Sequence, residues 1–139
     1  MDNRMESGNL YVAFRVKNNT FAVPMSDTLG IVAGRENTTY ATLPSAPKYV
    51  KCIVESDGYF ITIVNIPGVY DDLTIMGNYI VVLEHIRQNI GILATEAHLV
   101  TILSNNILKD KITGQKSFVH NGKTYLMLDI SQLYKDLGI

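Results

Sequence analysis

The sequence has few of the features that mark an exported or membrane protein. Cys52 is its one cysteine, so no internal disulfide can form, and this suits a reducing compartment. Residues 1–8 hold no apolar segment of the length that a signal peptide needs. Apolar runs such as Tyr79 to Leu83 are far shorter than the ~20 residues that span a bilayer. We therefore expect a cytoplasmic protein that does not insert into a membrane.

A large excess of one charge is also missing. Twelve Lys and Arg residues against thirteen Asp and Glu residues give a formal net charge of −1. Charges of both signs, scattered in this way, create no field that attracts nucleic acid or an anionic membrane. Lys48 and Lys51 flank Tyr49, but this group is too small for a nucleic-acid platform. We expect no nucleic-acid partner.

Motifs for catalysis and for cofactor binding are also missing from the sequence. His85, His98 and His120 have no metal-type spacing with one another or with a cysteine or carboxylate. Asp71-Asp72 is an acidic pair, but neighbouring side chains on a strand or loop point apart and do not share a proton. The sequence also lacks a Gly-x-Ser-x-Gly motif and a glycine-rich turn that leads into a helix. We therefore predict a protein that is not an enzyme and that needs no metal ion or cofactor.

What the sequence does contain is a strand pattern. Hydrophobic residues make up 47% of the chain, which is enough for a buried core. They recur with a period of two, as in Val12, Phe14 and Val16, and this is typical of a strand with one buried face. Asn18-Asn19 is predicted to turn this strand into a second one at Phe21 to Val23.

The two halves of the chain repeat one plan. Asp57-Gly58 supplies the turn of a hairpin over residues 49–66, and Asn121-Gly122 supplies the matching turn of a hairpin over residues 118–130. The alternative is that any two β-hairpins look alike. The repeat predicts a single all-β domain over residues 1–139 with two similar lobes that pack together.

The predicted lobes cover about residues 10–70 and 77–130. A short C-terminal helix is predicted at 131–138, with Ser131 as its N-cap. Residues 95–102 permit either a helical turn or a strand, and the sequence leaves this choice open.

Several segments follow one another in a distinctive order and spacing. The most specific is Leu-Pro-Ser-Ala-Pro-Lys-Tyr-Val-Lys at 43–51. The others are hydrophobic strands at 11–16, 21–25, 61–66, 80–83, 90–94 and 126–130. From about residue 10 to the C-terminus, this order resembles the family of the chemotaxis coupling protein CheW.

The resemblance implies two intertwined five-stranded SH3-like β-barrels that enclose a shared core, followed by a short C-terminal helix. It also implies a non-catalytic adaptor, or scaffold, that couples chemoreceptors to the histidine kinase CheA. The implied partners are the CheA regulatory domain and the cytoplasmic tip of a chemoreceptor. No cofactor is implied.

The chain departs from this family at the turn of its second hairpin. Where the family usually has Asn-Leu-Arg-Gly, this chain has Glu55-Ser56-Asp57-Gly58, so an acid replaces the arginine associated with receptor coupling. Gly30 and Asn65 stand where the family usually has acidic residues. Because like charges repel across an interface, we expect a partner whose surface has changed to suit, for example with a basic residue facing Asp57.

Five residues are predicted to contact a partner. Ile31 and Val32 follow the first helical turn, Glu55 and Asp57 lie at the hairpin tip, and Ile90 lies beside the lobe boundary. The alternative for the three apolar residues is burial in the core, and for the two acids a solvated turn.

A different class of function is the second hypothesis. The chain would then be a small-molecule-binding or enzymatic β-barrel that shares only its architecture with CheW. Asn65, Asp57 and His120 would supply polar groups at the mouth of a crevice.

Overall fold

The structure of the chain is a computed structural model. Asp57, the pair Asp71-Asp72 and residues 43–46 of the proline-containing segment lie outside the described residues. The described residues are 8–33, 39–41, 47, 49–56, 58–67, 79–85 and 88–139.

Strands dominate this part of the chain, as the period of two predicts. In chain order they are β1 (Asn9–Val16), β2 (Asn19–Pro24), β3 (Thr28–Ala33), β4 (Thr39–Ala41), β5 (Val50–Ser56), β6 (Tyr59–Val64), β7 (Tyr79–Leu83), β8 (Ile90–Ala94), β9 (Glu96–Ile102), β10 (Leu108–Lys109), β11 (Lys116–His120) and β12 (Lys123–Met127). One α-helix, α1 (Ile130–Leu137), follows them, and 3-10 turns lie at Met25–Asp27 and Ser104–Asn106. No helix in the described residues has the length and apolar character needed to cross a membrane.

The strands form two sheets. The first has the order β10-β11-β12-β2-β1-β9, and the second has the order β3-β7-β8-β6-β5-β4. Neighbours pair antiparallel, except that β12 lies parallel to β2 and β6 lies parallel to β8. The β1–β2 hairpin thus completes a sheet made from the second half of the chain, while the β7–β8 hairpin completes a sheet made from the first half.

The two halves are intertwined because each contributes a hairpin to the sheet of the other half. Each sheet consists of five longer strands and one short end strand, β10 or β4, within the described residues. The predicted all-β class is confirmed, and so is the C-terminal helix. The lobe limits at about 10–70 and 77–130 stay a prediction, because each sheet takes strands from both halves.

Several turns connect the strands with backbone in the left-handed region, and two of them test the predicted hairpin turns. Asn121 and Gly122 have φ angles of 51° and 77°, as a two-residue hairpin turn with Asn-Gly requires. In the first hairpin β1 ends at Val16 and β2 begins at Asn19, so the turn consists of Lys17 and Asn18 rather than the predicted Asn18-Asn19. Lys17 takes the left-handed conformation, with φ of 55°.

Alternation along the strands divides the buried side chains into three groups. The first-sheet core packs Tyr11, Val100 and Phe118 together. The second-sheet core contains Cys52, Val54, Ile61, Ile63, Ile80, Val82 and Leu93. The opposite faces of both sheets meet in an inter-sheet core, which includes Phe14 from β1 and Ile92 from β8.

Helix α1 covers one side of the inter-sheet core. Ile130, Leu133 and Leu137 are buried there, as expected for one apolar helix face. The N-cap is Asp129 rather than the predicted Ser131, and its carboxylate accepts a hydrogen bond of 3.1 Å from the backbone N–H of Gln132. Both residue types cap well, so the sequence alone did not separate them. Residues 96–102, which the sequence left open, are strand β9.

Candidate partner-binding surface

The polar and charged side chains of the described residues lie at least partly exposed to solvent. No polar or charged side chain among them is buried. No group of three or more His, Cys, Asp or Glu side chains in the described ranges is arranged to hold a metal ion. Exposed apolar side chains are therefore the features that distinguish candidate partner-binding surfaces from the rest of the protein surface.

One group of such side chains lies where the β5–β6 hairpin extends beyond its core. Val54 and Ile61 are the last paired residues that point into the second-sheet core. Beyond them Tyr59 and Phe60 are 68% and 66% exposed. Phe60 pairs across the strands with Glu55, which is exposed too. Glu55 and Phe60 lie on one face of the hairpin and Tyr59 on the other, and we name the three residues together the hairpin-tip surface.

The backbone beneath the hairpin-tip surface is held in place. The side-chain amide of Asn89 donates a hydrogen bond of 3.3 Å from Nδ2 to the carbonyl oxygen of Phe60. The backbone N–H of Thr62 donates one of 2.9 Å to the carbonyl oxygen of Asn89. These two hydrogen bonds join β6 to the segment before β8 and so fix the backbone that carries Tyr59 and Phe60.

The predicted contact residues fall in three different environments. Glu55 belongs to the hairpin-tip surface, and Asp57 lies outside the described residues. Ile31 and Val32 are half-buried on β3, an end strand of the second sheet, where Ile31 packs against the inter-sheet core and Val32 against the second-sheet core. Ile90 has no exposed surface, since it lies within the inter-sheet core.

Ile90 is buried, which is the alternative that the sequence left open for it, and its contact with a partner stays a prediction. Ile90 pairs with Thr62 on β6 and with Leu83 on β7, and its side chain points toward the other sheet. The sequence reasoning missed Tyr59 and Phe60, which fit the strand pattern and were assigned to it. Their position directly after the Asp-Gly turn is the one sequence feature that separates them from core residues.

A second apolar surface lies at one end of the first sheet. Leu10 and Met25 are 48% and 41% exposed and line an open groove of about 520 Å³, together with parts of the neighbouring backbone. Leu99 on β9 is 51% exposed and pairs with Val12, so it lies on the same face of the sheet as Leu10. We name Leu10, Met25 and Leu99 the sheet-end surface.

A polar groove of about 490 Å³ lies at the start of β9, where Arg15, Tyr79 and residues 95–98 line it. Here Arg15 makes an ion pair of 3.3 Å with Glu96, and its Nε donates a hydrogen bond of 3.2 Å to Oγ1 of Thr95. Both side chains of the ion pair are substantially exposed, so the pair contributes little to stability.

Two described side chains, Cys52 and Tyr134, have a raised pKa that follows from their packing and does not indicate a reactive centre. Burial raises the pKa of Cys52 despite the opposing charge of Lys51, which makes its thiol a poor nucleophile. Burial, with the charges of Asp27 and Glu84, raises the pKa of Tyr134 to about 12. The Tyr134 hydroxyl donates a hydrogen bond of 2.6 Å to the carbonyl oxygen of Glu84 and so ties α1 to the segment after β7.

Comparison with known proteins decides what kind of fold this is. The chain matches the crystal structure of the scaffolding protein TtCheW from Thermoanaerobacter tengcongensis with a TM-score of 0.68, over 88% of this chain and 89% of that one. The two chains share a fold. Their sequences are only 15% identical. No protein-family model matches the chain, and no curated protein matches it. The likeness to TtCheW therefore establishes the fold alone.

Proposed function

We propose that this protein is a non-catalytic cytoplasmic adaptor that couples chemoreceptor tips to the regulatory domain of the histidine kinase CheA. The observation that carries the proposal is the fold shared with a scaffolding protein over 88% of the chain. The exposed apolar surfaces at two separate places on the fold also support it, because an adaptor must hold more than one partner.

The finer architecture is part of this proposal. In it, each sheet curls into an SH3-like barrel of five main strands, with the first-sheet core and the second-sheet core as the two barrel interiors. Support comes from the separation of these two buried groups by an inter-sheet core that draws on both sheets. Barrels of this kind leave strand ends and hairpin tips exposed for docking.

Within the proposal, the hairpin-tip surface contacts a partner. Tyr59 and Phe60 provide aromatic area of the type that is enriched at interfaces, and Glu55 adds negative charge beside Phe60, with a second acid, Asp57, two residues further along the sequence. Such a surface fits a partner with a basic side chain next to an apolar one, since aromatic faces also attract cations. Ile31 and Val32 would lie at a further contact along β3, and Ile90 supports the sheet from within.

Direct binding tests the proposal. The purified protein is titrated in a calorimeter with the CheA regulatory domain and, separately, with a chemoreceptor cytoplasmic tip from the same cell. Phe60→Ser should weaken binding by about 5- to 30-fold, as expected for a central aromatic contact. Ile112→Ser is the matched control, because Ile112 is 95% exposed in the turn between β10 and β11, away from the hairpin tip, and its replacement should leave affinity unchanged.

The acidic turn offers a second test. Asp57→Arg restores the residue type of the CheW family at this turn and should strengthen binding to a standard chemoreceptor tip. Absence of binding to either partner at tens of micromolar, with the fold confirmed by circular dichroism, would sink the adaptor role. Binding that is indifferent to both Phe60→Ser and Asp57→Arg would keep the role and reject the hairpin tip as its contact.

A further inference from the structure

Two histidine rings meet at one end of the first sheet. The ring centroids of His98 on β9 and His120 on β11 are 6.3 Å apart, and the ring planes are inclined by 36°. His98 is exposed and His120 is half-buried, so solvent reaches both rings. The fold creates this pair, since the two residues belong to strands at opposite sides of the sheet order.

Strand alternation explains why the two rings meet. On β9, Val100 and Ile102 point into the first-sheet core, and His98 has the same parity. On β11, Phe118 points into that core, and His120 follows it by two residues. The histidines thus continue two rows of buried side chains past the end of the apolar core, where water can reach them.

Tyr125 on β12 lies against both imidazoles. Its ring centroid is 6.4 Å from that of His98 and 6.5 Å from that of His120, with ring planes inclined by 83° and 60°. Tyr125 is itself buried and stacks on Phe118 at 5.5 Å. This packed aromatic floor limits how far the imidazoles can turn inward, so they remain at the rim beside each other.

The spacing of the rings suits a shared metal ion. With Zn–N bonds of about 2.0–2.1 Å, an ion bound by two imidazoles holds their ring centroids roughly 5–6 Å apart. The observed centroid distance of 6.3 Å lies just above this range, and the exposed His98 side chain can change rotamer quickly to bring the rings closer. Imidazole nitrogen is a preferred ligand of Zn²⁺, Cu²⁺ and Ni²⁺.

We propose that His98 and His120 together bind one divalent transition-metal ion such as Zn²⁺, with water completing its coordination. Within residues 88–139, all of which the structure describes, β9 and β11 do not pair with each other, and β9 is an end strand of its sheet. The ion therefore links β9 to β11, two strands that backbone hydrogen bonds do not join directly. Because it binds the folded state, it also raises stability.

Histidine NMR signals give a direct readout. Zn²⁺ is titrated into the full chain without a histidine tag while the imidazole C–H resonances are recorded. The chain has three histidines, and His85, which packs edge-on against Tyr134 at 4.8 Å, is an internal control. The resonances of His98 and His120 should shift together at one equivalent of metal, while that of His85 stays in place. At a hundredfold excess over Kd, the Tm should rise by roughly 5–10 °C.

Single substitutions distinguish a metal ion shared by both histidines from one that is bound by a single imidazole. His98→Asn and His120→Asn should each remove the rise in Tm and the calorimetric binding signal, whereas His85→Asn should keep both. Circular dichroism confirms that each variant is folded. The proposal is overturned by the absence of binding, by a metal-induced shift of only one imidazole, or by an affinity that survives His98→Asn or His120→Asn.

Discussion

Gly91, in the middle of β8, has no room for a methyl group. A Cβ atom at this position would lie 2.8 Å from Cγ2 of Ile61, 2.8 Å from Cγ2 of Ile80 and 3.1 Å from Cδ1 of Ile63. The two Cγ2 atoms sit on β-branched side chains with little freedom at χ1, so they cannot swing away. Overpacking of this kind costs about 1–3 kcal/mol, and Gly→Ala returns about 0.4–1 kcal/mol by restricting the unfolded chain.

Gly91→Ala should therefore lower the free energy of unfolding by about 1–2 kcal/mol, which for 139 residues corresponds to a fall in Tm of roughly 3–8 °C. Urea unfolding followed by circular dichroism measures the change. The triple variant with Ile61→Leu and Ile80→Leu is the matched control, because leucine lacks the γ-methyl on Cβ that meets the new atom. It should recover part of the loss relative to the Ile61→Leu/Ile80→Leu background. A Gly91→Ala protein as stable as the wild type would refute the packing described for β8.

Two further substitutions test how α1 is held. Tyr134→Phe removes the hydrogen bond to Glu84 and should lower the free energy of unfolding by about 1 kcal/mol in urea unfolding at neutral pH. The pKa of Tyr134 is raised to about 12 in the folded state and lies near 10 in the unfolded chain. The unfolded state therefore releases this proton first, and the wild type should lose stability more steeply than Tyr134→Phe as the pH rises from about 10 to 12. Asp129→Ala should cost about 1 kcal/mol through loss of the N-cap, while Asp129→Asn keeps most of it, and equal stability of the two would argue against the cap.

Much of the local structure follows from sequence patterns. The period of two predicts β1, β2 and β6, and Asn121-Gly122 forms its predicted turn, because turn type depends on a few adjacent residues. Two features lie one or two residues from their predicted positions. Lys17 takes the left-handed φ angle in the first hairpin, and Asp129 caps α1 in place of Ser131.

The candidate surfaces were less accessible to sequence reasoning. Phe60 and Ile90 both look like strand residues, yet Phe60 is 66% exposed and Ile90 is fully buried. Exposure depends on where each strand runs past its neighbours, which is a property of pairing rather than of the strand itself. His98 and His120 likewise lack a metal-type spacing in the sequence, although their rings lie close together.

By itself, the sequence determined the all-β class, the hairpins, the Asn121-Gly122 turn and the C-terminal helix, because alternation and turn chemistry act over a few residues. Only the tertiary structure decided that the β1–β2 and β7–β8 hairpins each complete the sheet formed by the other half of the chain. That exchange depends on long-range pairing, to which any strand with a suitable apolar face can contribute. It also places the three cores and the histidine pair where they are, since each is built from segments distant in sequence.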